Sequence, residues 1–342
     1  MTHKRGPMQN CFGHSALRQL VPSLLGCLFM VVVWLPLSGF AADDNYPSAT
    51  IKFIVPVEAG GGIDSVARAV AQHLGDRLKQ NIVVNNRSGA GGMIGTALAA
   101  SAPADGYNLL VTGGTHLSAA VLHPNPSYHP LKDFEPVARL AVSPYVLLVN
   151  KSLNINSVQE LVAYSRANPG KLAYGSGASN LYIANNFFMH QAGVNWLFVP
   201  YKGSGPMIRA LLANEIQVSF VSVGNVDAAL KTGRVLALAV VHGDRLASFP
   251  QVPTLKESGY PAMNITQWFG VFAPVGTPAP ILDLLSRELL KMVDHGPFND
   301  YLQNNNMVRS PMDRKEFSRV LKKDYNELVE LEKSGRIEKM NP

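Results

Sequence analysis

The stretch Ile51–Arg68, IKFIVPVEAGGGIDSVAR, constrains this chain more than any other. Ile51–Val57 is a short, mostly apolar run rich in β-branched side chains, which suits a strand buried on both faces of a parallel sheet. Gly60, Gly61 and Gly62 follow at once. They let the main chain turn sharply and let a ligand approach it with no Cβ in the way. Asp64 stands where a helix N-cap is expected, and from Ser65 the apolar Val66, Val70, Leu74 and Leu78 recur at helical spacing. Strand, glycine loop and helix start together make an anion site, because unpaired N–H groups and the positive end of a helix dipole converge on one spot. The expected occupant is the carboxylate of a small ligand.

The same unit recurs. Strand Ile82–Val84 leads to Gly89-Ala90-Gly91-Gly92 and a small-residue helix, Met93–Ala100; strand Asn108–Thr112 leads to Gly113-Gly114-Thr115-His116. Such alternation predicts α/β layers with a parallel sheet. Right-handed crossovers put these loops at the carboxyl edge of the sheet, where open α/β folds bind ligands. A polar, proline-bearing segment, His123–Pro136, reads as a connection. A second series follows: strand Tyr145–Asn150, a helix capped by Ser157 with Glu160 completing a capping box, strand Leu172–Tyr174, the loop Gly175–Asn180, helix Leu181–Gln191, and the loop Phe198–Gly205 with Pro206 in a first helical turn. Strands Ile216–Val221 and Val235–Val241 complete that series. Trp268–Ala273 reads as a strand returning to the first half, and helices Ala279–Met292 and Lys315–Lys333 end the chain. The expected architecture is two α/β lobes, 43–141 plus 266–342 and 142–265, with a ligand cleft between them.

Residues 1–41 read as a secretory signal: Lys4, Arg5 and Arg18 precede and enter an apolar run, Leu20–Leu37, and Gly39-Phe40-Ala41 offers a signal peptidase its small residues. An uncleaved anchor and a lipoprotein box at Leu24–Cys27 are the alternatives. Cleavage after Ala41 leaves 301 of the 342 residues and lowers the net charge from +6 to +3, since the leader carries three basic and no acidic side chains. Both cysteines, Cys11 and Cys27, leave with it, so the mature chain has no disulfide, thiolate nucleophile or cysteine metal site. The weak positive charge, with no arginine-rich stripe, implies no nucleic-acid partner.

Enzyme motifs are missing. Gly60-x-Gly62 is followed by Ser65 where a dinucleotide fingerprint needs a third glycine, and the second strand ends in Asn85-Asn86 rather than an acidic residue. There is no GxxxxGK[ST], no G-x-S-x-G elbow and no HExxH, and the histidines form no i, i+4 pair for a metal. The expectation is binding without turnover: no catalytic residue, no metal, no cofactor.

VPVEAGGGIDSVAR (Val55–Arg68), NNRSGAGGMIG (Asn85–Gly95), ADGYNLL (Ala104–Leu110), VPYKGSGPMIRALL (Val199–Leu212) and VPTLKESGYP (Val252–Pro261) together resemble the Bug family, the periplasmic solute-binding proteins of tripartite tricarboxylate transporters. The likeness runs in order from about Tyr46 to the C-terminus. It implies a type II-like two-lobe periplasmic binding fold, a monomer that closes on a small organic acid, or a related amide or amino acid, and delivers it to membrane subunits. It further implies that glycine loops of both lobes grip the ligand through backbone groups, hydroxyls and waters. The candidate contacts are Glu58, Ala59, Gly60, Gly61, Gly62 and Asp64 in the first loop; Gly91; Thr115 and His116; Ser176, Gly177, Ser179 and Asn180; and Tyr201, Lys202 and Ser204. Each has a plainer reading. Asp64 caps a helix, Gly91 lets helix pack on sheet, Ser176 to Asn180 cap a helix, Lys202 is solvated, and Trp268 packs in the core or hinge.

Two features depart from the family pattern. Glu58 lies where a small or neutral residue is commoner. One like-charge contact at ~4 Å and an effective dielectric near 20 is worth roughly 4 kcal/mol, enough to change which ligand is accepted, so Glu58 faces away, pairs with a cation or meets an ammonium group. The segment Tyr174–Ile183 is short, with Tyr182 where a histidine is common. A ligand-presenting subunit for a sensor kinase, or an exported hydrolase, is the alternative function.

Overall fold

The computed structural model describes residues 46–201, 203–263, 265–294, 296–337 and 339; the leader expected over 1–41 lies outside them. The chain opens with β1 (Ile51–Val55), α1 (Gly62–Leu78), β2 (Ile82–Asn86), α2 (Met93–Ala100), β3 (Asn108–Gly113), α3 (Thr115–Leu122) and β4 (Phe134–Ser143). It continues with β5 (Tyr145–Asn150), α4 (Val158–Ala167), β6 (Ala173–Ser176), α5 (Ser179–Ala192), β7 (Leu197–Pro200), α6 (Ser204–Leu212), β8 (Val218–Ser222), α7 (Val226–Lys231) and β9 (Val235–Val241). It ends with β10 (Gln267–Pro274), α8 (Ala279–Asp294), α9 (Pro297–Asn304), β11 (Val308–Met312) and α10 (Arg314–Lys333). None of these helices is long and apolar enough to cross a membrane.

The strands form two sheets, ordered β11-β4-β10-β3-β1-β2 and β7-β6-β8-β5-β9. Both are mixed rather than parallel throughout. β1 runs parallel to β2 and β3, while β10 lies antiparallel between β3 and β4. β6 runs parallel to β7 and β8, and β5 lies antiparallel between β8 and β9. Strand alternation divides the first half's core. Ile51, Phe53, Val55, Leu109 and Val111 face α1 and α8, whereas Ile54 and Leu110 face Met93 of α2, Leu117 of α3 and Phe317 of α10. Burial on both faces is why β1 reads as a continuous apolar run, and each such side chain contributes ~1.5–3 kcal/mol.

The His123–Pro136 connection ends in a strand that the sequence reading did not expect. β4 starts at Phe134, and Pro136, which has no N–H to donate, sits beside a register shift opposite Phe272. β11, also unexpected, is the sheet's edge strand, and Pro311 falls within its own shift between Arg309 and Met312. Thr115 and His116, expected in a loop, instead begin α3, which is buried at every position and so carries no amphipathic period.

The C-terminal helix serves both halves. Phe317 and Leu321 of α10 lie in the first half's core. Leu328 and Leu331 pack on the second half's core, and Ile337, 1% exposed, belongs to it.

Candidate ligand-binding site

β1 delivers the chain into the first glycine loop, where Gly60 adopts φ +87°. Asp64 is not the helix cap. Gly61 occupies that position with no side-chain bond, and Asp64 is the third helical residue. Its carboxylate is 2% exposed and turned into the protein. One oxygen accepts the Gly60 N–H at 2.8 Å and Arg68 Nε at 3.0 Å. The other accepts Asn86 Nδ2 at 2.9 Å and faces Arg68 Nη2 at 3.0 Å. Asn86 Nδ2 also donates to Val57 O at 3.1 Å. Burial alone would raise the Asp64 pKa, but the Arg68, Gly60 and Asn86 bonds outweigh it and hold the carboxyl below its ordinary range. The Asp64 side chain therefore pegs the loop from behind and is withdrawn as a ligand contact, which leaves its main-chain N–H as the candidate.

In front of the loop the space is open. A Cβ at Gly60 or Gly62 would meet nothing within 4 Å, and one at Gly61 only Glu58 O at 3.6 Å. Gly62, Ile63 and Asp64 present the first-turn N–H groups that no intrahelical acceptor satisfies. Glu58, Ala59, Gly60, Gly61 and Gly62 are all exposed, and Glu58 makes no ion pair among the described residues.

The other loops join this one in a contiguous arc. Gly95 packs on Pro56 so closely that a Cβ would stand 2.8 Å from Pro56 Cα, and Gly92 approaches Pro56 O. The turn Ala90–Gly92, with Gly91 exposed at φ +64°, packs against α3. α3 crosses to the second half, where Ser118 Oγ donates to Ser179 Oγ at 3.0 Å. Gly114, the residue before α3, lies 3.5 Å from the Asn180 amide when a Cβ is added to it. Gly177 then abuts the β7–α6 loop: its Cβ would stand 2.2 Å from Gly203 C. α1, α3, α5 and α6, whose N-termini edge this arc, have no side-chain cap. α2 shares that lack, whereas Ser157 caps α4 and Asp313 caps α10 by accepting the N–H of Glu160 and Glu316. The arc thus offers backbone N–H groups and helix-dipole ends from both sheets to an anion.

Among the described residues no serine hydroxyl bonds a histidine, and no group of His, Cys, Asp and Glu could hold a metal ion.

The profile described as "Tripartite tricarboxylate transporter family receptor" matches residues 66–339. The chain belongs to that family. Protein BugT of Bordetella pertussis is 37% identical over 269 residues, which is 77% of this chain and 82% of BugT. The Rhodopseudomonas palustris protein Rpa4515, solved with adipate, superposes with a TM-score of 0.78 at 30% identity, covering 84% of this chain and 97% of that one. MatC (Rpa3494) from the same species, solved with bound malate, superposes with a TM-score of 0.75 at 28% identity, covering 84% and 99%. The protein is a solute-binding receptor with the periplasmic binding fold.

In this receptor the candidate side chains divide into exposed and sequestered ones. His116, expected as a contact, is 1% exposed and caged by the rings of Tyr128, Phe134 and Phe272. Its Nε2 donates to Pro130 O at 2.9 Å, and Nδ1 has no partner. Burial lowers the ring's pKa to about 4, against a smaller rise from the Pro130 bond. His116 is a neutral core residue and is withdrawn as a contact. Asn180 is likewise committed, its amide donating to Gln267 Oε1 and Tyr145 Oη. Ser176 Oγ donates to Ala178 O at 2.6 Å. Thr115 is 7% exposed, with an unpaired Oγ1. Tyr201 and Ser204 are half-buried at the start of the α6 turn, and burial, with Glu215 adding to it, raises the Tyr201 pKa. Lys202 lies outside the described residues.

The sequence reading missed the receptor's positioning residues. Arg68 stands four residues after Asp64 on one helix face, a spacing that could have revealed it. Asn86, Ser118, Tyr145 and Gln267 act over long separations that no local pattern marks.

Proposed function

We propose that this receptor captures a small organic acid in the periplasm and passes it, unchanged, to the membrane subunits of a tripartite tricarboxylate transporter. It works as a monomer exported by the 1–41 leader. The ligand carboxylate rests against the uncapped N–H groups of the arc, and a second polar group meets the Tyr201–Ser204 turn. The arrangement of those N–H groups around open space at Gly60–Gly62 is the observation that carries this reading; the adipate and malate held by two structural relatives support it. Halves 43–141 plus 266–342 and 142–265 close on the ligand, which stabilises the closed state because only there does it touch both.

A thermal-shift screen of purified protein against malate, succinate, adipate, citrate, aspartate and nicotinate tests the proposal. One of them at a hundred times its dissociation constant adds ~2.7 kcal/mol to stability. Mass spectrometry then recovers that ligand intact at one per chain. Failure of every carboxylate to stabilise the protein, or conversion of the ligand, overturns the reading.

A further inference from the structure

Beside the strands that link the two halves lies a cavity of about 840 Å³, within the usual size range of ligand pockets. No residue of the β1–α1, β6–α5 or β7–α6 loop borders it; of the residues named in the arc it shares Gly114, Ser118 and Asn180. Its apolar wall comes from both halves: Leu117 of α3, Ile183 and Phe187 of α5, Trp268 of β10 and Leu328 of α10.

Of the two arginines that line the cavity, Arg336 is exposed and Arg139 of β4 is not. Its guanidinium is half-buried and fastened at one end only, where Nε donates to Ser310 O at 3.1 Å and Nη2 to Ser310 Oγ. No described carboxylate comes within ion-pair distance of it; Asp324 and Glu316 act on it from farther away. The acids on the cavity's rim are engaged elsewhere: Glu327 faces Lys323 at 3.7 Å and Glu330 faces Lys333 at 3.2 Å. Asp324, which also lines the cavity, has its pKa pushed up to about 6 by burial and then by the Glu327 charge. A half-buried cation with no carboxylate within ion-pair distance among the described residues, in a chamber with apolar walls, is suited to an anion with an apolar body.

We infer that this cavity is a second binding site, which takes an amphipathic carboxylate whose head pairs with Arg139 and whose apolar body lies along Trp268, Leu117, Ile183 and Phe187. Because its walls belong to both halves, an occupant also fixes their relative angle and so biases closure.

Isothermal titration with decanoate tests the inference on the purified protein and three variants. Gly62→Leu blocks the arc; Arg139→Gln removes the cation; Ala262→Trp, at an exposed rim position, fills the opening. Decanoate binds one per chain to the parent and to Gly62→Leu. It binds about 10- to 100-fold more weakly to Arg139→Gln, the usual scale of a charge-assisted bond, and not to Ala262→Trp, whose unchanged circular dichroism melt shows it folded. Should Arg139→Gln fail to fold, Ala262→Trp decides. The inference is overturned if the parent does not bind decanoate, if Gly62→Leu abolishes binding, if Ala262→Trp binds as the parent does, or if decylammonium binds more tightly than decanoate.

Discussion

Lowering the pH from 7.5 to 4.5 makes a demand on His116 that the folded receptor cannot meet. A second proton on the ring needs an acceptor for Nδ1, which has none, and it places a cation among three aromatic rings whose centroids lie 4.6 to 5.5 Å away. The folded pKa of about 4 compares with ~6.5 for an unburied imidazole. The unfolded chain therefore takes up the proton first. The stability contributed by the neutral ring is complete above pH ~6.5 and is lost as the pH falls toward 4. That gap of ~2.5 pH units, at ~1.36 kcal/mol each, amounts to ~2–3 kcal/mol at pH 4.5, a large part of a typical ~5–15 kcal/mol total. Urea denaturation of the parent and of His116→Leu at both pH values isolates it, because every other titrating group is common to the two proteins. The parent should lose ~2–3 kcal/mol more than the variant on acidification. Equal losses would refute the argument that burial, rather than ligand contact, explains this residue.

Asp64→Asn should destabilise the receptor by roughly 1–3 kcal/mol at pH 7, the scale of hydrogen bonds to a charged group. Since the folded carboxyl titrates below its ordinary ~3.9, that penalty should shrink as the pH falls through the acid range, which chemical denaturation at pH 7 and pH 3 would read. Asp324→Asn should act in the opposite direction. Its carboxyl titrates at about 6 because of burial and Glu327, with Lys323 and Arg139 opposing, so its favourable contribution is present below ~3.9 and lost as the pH rises through 6. The variant's melting temperature should exceed the parent's at pH 7.5, by the equivalent of ~1–3 kcal/mol, and match it at pH 4; equal shifts at both would count against this. Gly177→Ala should lower both the melting temperature and ligand affinity, because its Cβ would stand 2.2 Å from Gly203 C, whereas Gly62→Ala, which meets no atom within 4 Å, should spare stability and weaken the ligand alone. Melts paired with ligand titration separate the two.

The first loop was legible because several signals coincide there: a strand buried on both faces, three glycines and a helical period within 18 residues. The Ser157–Glu160 capping box was legible for a similar reason, and Ser157 Oγ does accept the Glu160 N–H at 3.1 Å. Where a local signal pointed the wrong way, tertiary structure had overridden it. Pro136 argued against a strand that accommodates it beside a register shift. α3 lost its period because every face is covered. Asp64 looked like a cap because one of the partners that turn it inward, Asn86, comes from 22 residues away. The Ser118–Ser179 bond that joins the halves spans 61 residues and left no trace in either neighbourhood.

Pro144 alone links β4 to β5, a longer segment links β9 to β10, and α10 reaches across a third time with Leu328 and Leu331, followed by Ile337 beyond its end. A body held to its neighbour at two points can rock and also swivel about the line through them. A third attachment off that line suppresses the swivel and leaves rocking as the soft motion. Heating should then melt both halves as one cooperative unit, since neither can unfold without pulling away the helix that the other shares.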